Sequence, residues 1–191
     1  MNKLSDLRVR ITQLVGSMSQ PIDITVLLAK IRDVLEEGFL SDVPLCLSQP
    51  YSRSILCVHD KVEIMIARWT PDIQCAPHDH GESNSLIYVL SGCAKHRLYH
   101  IRSQRLQQVY EDYKKEGDVI RCSPKQVHSI GASPALVTLH IYMPSIRDMV
   151  IYDIVDPKTF VVRGTCGAWL PIEDDKDILN IRKGHHMRGQ L

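Results

Sequence analysis

Apolar positions along the chain follow two different periods, and the change between them divides the molecule. In PIDITVLLAKIRDVLEEGFLSD, apolar side chains at Ile24, Val26, Leu27, Ile31, Val34 and Leu35 recur with the spacing of a helix. Asp23 stands where a helix is capped and Gly38 where one stops. MNKLSDLRVRITQLVG predicts an earlier helix ending at Gly16, and Pro50 in SQPYSR marks the exit from helix. From about Ser52 the texture becomes short β-branched, aliphatic and aromatic runs. SILCV, VEIMIARW, SLIYVLSG, AKHRLYHI, RLQQVYEDY, DVIRC, QVHSIG, ALVTLHIYMP, MVIYDIV and TFVVRG each read as a strand. No helix-length pattern separates them, so a parallel α/β sheet is excluded. The expectation is an all-β barrel or sandwich behind N-terminal α-helices.

Within a single domain, residues 1–50 form the helical segment, 51–170 the barrel and 171–191 a polar C-terminal tail. The tail sequence DKDILNIRKGHHMRGQL places His185 and His186 at the surface, solvated rather than ligating.

Composition narrows the partners. Lys and Arg number 23 against 22 Asp and Glu, a balance that points to neither nucleic acid nor an anionic membrane surface. No apolar run approaches a membrane span, and the first residues lack the pattern of a secretory signal, which makes a cytoplasmic location the expectation. The six cysteines include no CxxC pair, so they are expected to be reduced and to serve mostly as small hydrophobes.

Candidate chemistry begins at CAPHDHGESNS. His78 and His80 are two apart, and on a strand that spacing puts both imidazoles on one face. Two surface histidines at a strand start would look the same, so the downstream spacing matters. It is similar to the two motifs of the cupins, a family of small β-barrels (jelly rolls). Gly92 falls at the right distance if Ser85 occupies the glutamate slot of the first motif. Gly117 and His128 have the separation of the second, with Ser123 in the place of its proline and Lys125 in the place of its glycine. His78, His80 and His128 are therefore the expected metal ligands. Glu82 lies too early in the motif to be expected to face inward with them. Three imidazoles suit zinc, iron, copper or nickel, and they add no negative charge to the ion.

A more specific resemblance follows from four segments in order. PALVTLHIYMPSI, with Thr138, His140 and Tyr142, resembles the Ser-x-His-x-Tyr strand of the cysteine dioxygenases. YSR at Tyr51–Arg53 resembles the segment carrying their substrate arginine, and HDHGES the segment carrying two iron ligands. The resemblance spans about residues 51–146. It implies a mononuclear non-haem Fe(II) cupin enzyme that adds both atoms of dioxygen to a small-molecule thiol, giving a sulfinic acid. Arg53 would hold a carboxylate with Tyr51 beside it, and Thr138, His140 and Tyr142 would form a hydrogen-bonded relay toward substrate. Without the resemblance, the same strand also reads as core with a satisfied histidine, and His140 is the rival to His128 as third ligand.

Ser85 stands where animal members carry the cysteine that crosslinks the strand tyrosine, so an uncrosslinked Tyr142 is implied, as in bacterial-type members. Arg53 favours L-cysteine; 3-mercaptopropionate is the alternative, because related enzymes lack arginine in the Arg53 slot and use one beyond the catalytic strand, to which Arg147, seven residues after His140, does not obviously correspond. A non-catalytic metal-binding or small-molecule-binding cupin, or a zinc or nickel isomerase or hydrolase, remains open at this point. A monomer or weak homo-oligomer is expected, and a cis peptide is predicted at Met143-Pro144.

Overall fold

The computed structural model describes residues 3–59, 61–172 and 175–186. Two helices, α1 (Lys3–Ser17) and α2 (Ile24–Val34), precede a 3-10 turn at Phe39–Asp42. In α1, Leu4, Leu7, Ile11 and Val15 lie on one stripe and are buried. The Asp23 carboxylate caps α2 by accepting from the backbone N–H groups of Thr25 and Val26, at 2.7 and 3.0 Å. That helix ends at Val34 rather than running to Gly38, because Leu35 is already extended. Gly38, with φ of +81°, instead opens the 3-10 turn.

Ten strands follow. These are β1 (Tyr51–His59), β2 (Val62–Trp69), β3 (His78–Asp79), β4 (Asn84–Arg102) and β5 (Arg105–Lys115), then β6 (Val119–Cys122), β7 (Val127–Met143), β8 (Asp148–Asp153), β9 (Lys158–Arg163) and β10 (Ile178–Lys183). All pairings between named strands are antiparallel. The path runs β1-β2-β7-β3-β8-β9-β10, and β4 joins β7 to β5 and β6. The mostly β, curled sheet behind two helices is a cupin fold.

Several short runs fuse. SLIYVLSG and AKHRLYHI are one strand, as are QVHSIG and ALVTLHIYMP. Gly92 is thus a bulge within β4 rather than a chain reversal, since the β4–β7 register shifts on both sides of it. Its φ is +87°, and an added Cβ would sit 1.9 Å from the Ala135 carbonyl oxygen. Only glycine fits there.

Strand alternation then sorts side chains into two layers. Ile64, Ile66, Leu139 and Ile141 face the helices and join the cluster with Leu7, Ile11, Leu27 and Ile31. Met65, Ala67, Ile87, Val89 and Tyr142 face the other way, into the barrel. Burying each large apolar side chain contributes about 1.5–3 kcal/mol, enough to fix the register wherever one face is dry. The helical preface therefore determines which face of β7 is turned inward.

The stretch taken as a polar tail contributes β10, which pairs with β9. It is an edge strand with most side chains exposed, so its polar composition hides its backbone pairing. His185 is buried, not solvated. Its Nδ1 accepts from Leu106 N–H at 2.6 Å, and its Nε2 lies 2.7 Å from the Asp153 carbonyl oxygen. His186 is half-buried, with its Nε2 2.8 Å from the Lys183 carbonyl oxygen. The Met143-Pro144 bond is cis, as are Gln20-Pro21 and Ser133-Pro134. No described helix is long and apolar enough to cross a membrane.

Candidate metal centre

The short strand β3 and the residue that follows it supply the first two imidazoles. His78 and His80 point inward while Asp79, between them, points away. The Asp79 carboxylate accepts from Gly81 N–H at 2.8 Å and from the Tyr152 hydroxyl at 3.2 Å, which anchors the turn after the pair. His78 lies opposite His128 in the β3–β7 register. Ring centroids are 4.8 Å apart for His78 and His80, 4.6 Å for His78 and His128, and 4.9 Å for His80 and His128. One nitrogen from each lies within 4.8 Å of the others.

The nitrogens also have the protonation a metal needs. Nδ1–H of His78 donates to the Ala76 carbonyl at 2.9 Å, leaving the Nε2 lone pair directed inward, 3.1 Å from His80 Nε2. His128 Nδ1 is 3.4 Å from Cys122 Sγ, and His128 Nε2 is buried without a partner among the described residues. Burial lowers all three: His78 to about 4, with His80 and His128 well below their ordinary value, where neighbouring imidazoles add to the effect. Three neutral, buried imidazoles with one orphaned nitrogen fit a divalent transition metal.

Glu82 is not among them; it is exposed and ion-pairs with Lys125 at 2.9 Å. His96, Cys122 and His128 form a second close group. It shares His128, and burial pushes the Cys122 thiol up to about 12, so the sulfur there is uncharged.

Against the imidazoles lies a chain of hydrogen bonds. Thr138 Oγ1 is 2.7 Å from His140 Nε2, and His140 Nδ1 is 2.8 Å from the Tyr142 hydroxyl. Trp69 on β2 extends it, its indole Nε1–H donating to Thr138 Oγ1 at 2.8 Å. Indole is a donor only, and the fully buried Thr138 hydroxyl has one proton of its own to place. Its remaining partner is His140 Nε2. His140, lowered to about 3 by burial, is neutral, so its single proton sits on Nδ1 and goes to the Tyr142 oxygen. The phenol keeps its O–H for a ligand. Burial holds Tyr142 well above the usual phenol value, and its ring is 4.8 Å from that of His80. His140 lines the same cavity but both its nitrogens are taken by this chain.

Ser85 is opposite Tyr142 in the β4–β7 register and opposite Cys122 on the other side. Cys93 lies far along β4, opposite Lys115, and reaches neither.

Tyr51 lines the cavity with its ring, packed 4.5 Å from Trp69, while its hydroxyl accepts from Ala168 N–H at 2.8 Å. Arg53 is also on the wall, only 16% exposed, and its guanidinium is heavily engaged. Nη1 donates to the carbonyls of Thr165 and Cys166, and Nη2 to that of Gly164 and to Glu63 Oε1 at 3.3 Å. Arg53 Nε is buried and has no partner among the described residues.

A family model described as cysteine dioxygenase type I matches residues 48–154, more than half of the chain. The chain belongs to the cysteine dioxygenase type I family. This member also resembles solved structures at the level of fold. An uncharacterised protein with a double-stranded β-helix domain from Klebsiella pneumoniae aligns over 59% of this chain and 87% of its own, at 16% identity and TM-score 0.50. An RmlC-like cupin from Shewanella frigidimarina aligns over 52% of this chain and 81% of its own, at 11% identity and TM-score 0.44.

Among the side chains that contact the candidate site, Trp69, Glu63 and Cys122 escape the sequence reading. Trp69 is two residues from Ala67, the residue opposite Thr138, so the alternation of β2 carries a trace of it. Glu63 and Cys122 leave no local signal.

Proposed function

We propose that this cysteine dioxygenase family member is a non-haem Fe(II) thiol dioxygenase acting on L-cysteine to give cysteine sulfinic acid. The observation that carries the reading is the pairing of two features in one buried cavity. Three neutral imidazoles converge there, and beside them stands a phenol whose proton is free because Trp69, Thr138 and His140 satisfy every other group in the chain. A non-catalytic binding cupin has no need of the second feature.

In this reading His78, His80 and His128 hold the metal. Bound iron(II) would supply a Lewis-acidic centre that favours thiolate over thiol and brings dioxygen beside it. The chain's own residues do the rest. Tyr142 O–H is positioned to donate to the substrate or to oxygen, and His140 fixes its rotation. Arg53 has its buried, unpartnered Nε–H to offer to the carboxylate, and Met65, Ile130 and Met149 on the cavity wall keep water out. The net reaction balances without another reductant: R–SH and dioxygen give R–SO2H, with sulfur oxidised and both oxygen atoms retained.

Anaerobic loading with Fe(II), addition of L-cysteine and admission of oxygen should yield one sulfinate per dioxygen consumed. The absence of sulfinate from both L-cysteine and 3-mercaptopropionate would overturn the reading. Turnover of 3-mercaptopropionate alone would move the substrate to the alternative acid.

A further inference from the structure

The metal-side cavity is small, about 10 Å³, roughly the space for one water-sized atom. Beyond it lies an open chamber of about 500 Å³, whose wall includes Glu63, Arg147, Arg163 and Thr165. The two share Arg53 and Ile146, so the chamber abuts the inner cavity through those side chains. A thiol whose sulfur reached the imidazoles past those two side chains would leave the bulk of its body in this vestibule.

The charges in the vestibule are unequal. Three arginines face one carboxylate, and that carboxylate, Glu63, is committed to Arg53. Arg53 spends four N–H groups on Glu63 and three backbone carbonyls and has Nε–H left. Arg147 and Arg163 are different. Both are exposed, and neither guanidinium has a hydrogen-bond or ion-pair partner among the described residues. They stand on neighbouring stretches of backbone, since Asp148 pairs with Arg163 in register and Gly164 N–H donates to the Arg147 carbonyl at 2.9 Å, and both line the chamber. The same 163–166 segment that occupies Arg53 therefore presents Arg163 to the chamber.

We infer that the vestibule is an anion-binding subsite in which Arg147 and Arg163 recognise an acidic group lying beyond the Arg53–Ile146 constriction. The substrates it favours are cysteine derivatives extended at the carboxyl end, with an acid several bonds further from sulfur than in cysteine. This inference rests on the thiol dioxygenase reading for its chemistry, but the subsite itself needs only the two arginines. Charge-assisted contacts of a carboxylate with guanidinium are worth roughly tenfold or more in affinity when partly shielded.

The test compares L-cysteinylglycine with L-cysteinylglycinamide, which match in size and differ in the distal charge. With the Fe(II)-loaded enzyme, KM for the acid should be about tenfold below that for the amide. In Arg147→Gln/Arg163→Gln that ratio should fall toward one. A second measurement is independent of metal and turnover: calorimetric binding of L-serylglycine to the metal-free protein, expected for the wild type and lost in the double variant. Both positions are exposed, and a thermal melt confirms that the variant is folded. Equal KM values for acid and amide in the wild type, or a ratio that survives both substitutions, overturns the inference while leaving L-cysteine oxidation standing. Serylglycine binding that depends on the two arginines, without oxidation of any thiol, supports the subsite and removes the dioxygenase reading instead.

Discussion

Replacing Thr138 by valine tests the hydrogen-bond chain directly. Valine matches threonine in shape, and the site is fully buried, so hydrophobic bookkeeping alone makes the change neutral or favourable. The polar partners reverse that sign. Loss of the hydroxyl strands Trp69 Nε1–H and His140 Nε2, both of which lie within 2.8 Å of it. Each buried orphan costs about 1–3 kcal/mol, against which the gained methyl returns about 1 kcal/mol. A net loss of roughly 2–4 kcal/mol is expected, which for a domain of this size lowers Tm by roughly 5–15 °C. Thr138→Ser keeps the hydroxyl and loses only a methyl, about 1 kcal/mol.

The cycle with Trp69→Phe isolates the pair. Once the indole donor is gone, Thr138→Val orphans one group fewer, so the double variant should be less destabilised than the sum of the singles by about 1–2 kcal/mol. Denaturant melts of the four proteins measure this, and oxygen uptake with L-cysteine should fall in Thr138→Val and persist in Thr138→Ser. A Thr138→Val protein as stable as the wild type, or strictly additive with Trp69→Phe, would refute the assignment of the two hydrogen bonds.

Metal analysis separates ligands from relay: His78→Ala, His80→Ala and His128→Ala should each lose bound iron, while His140→Ala retains it, and loss in the last would make His140 a ligand. Glu63→Gln uncovers the Arg53 charge beside the cavity, so KM for L-cysteine should fall several-fold. Burial holds the Glu63 carboxyl above its usual range despite Arg53. Folding thus takes up a proton there, and wild-type stability should decline as pH rises from the ordinary glutamate value through the raised one, a slope that denaturant melts should find absent in Glu63→Gln. Gly92→Ala meets both a positive φ and a backbone oxygen at 1.9 Å. A loss of roughly 4 kcal/mol or more is expected, visible as failure to accumulate folded protein.

What the chain encodes locally was legible. The switch from helical to alternating period separates α1 and α2 from the sheet, and Asp23 announces its cap because the contact spans only three residues. The spacing of His78 and His80, and of Thr138, His140 and Tyr142, puts each set on one face, since alternation is a property of a single strand. Spacing also nominated His128, but its pairing opposite His78 is a matter of register, which the apolar faces of distant strands decide together.

Other features have no local trace. The fusion of strands around Gly92 depends on how close β7 approaches. The pairing of β10 is a backbone property that its exposed, polar side chains conceal. His185 is buried because the start of β5, at Leu106, and the end of β8, at Asp153, hold its two nitrogens. Arg53 shows the difference most sharply. The family resemblance marked it as a carboxylate clamp, yet Glu63 on the adjoining strand β2 and the carbonyls of 164–166, just after β9 and far off in sequence, take four of its five donors. Periodicity tells a side chain which way to face. Only the folded sheet determines what it meets there, because the partners of a buried charge are set by the packing of the whole chain.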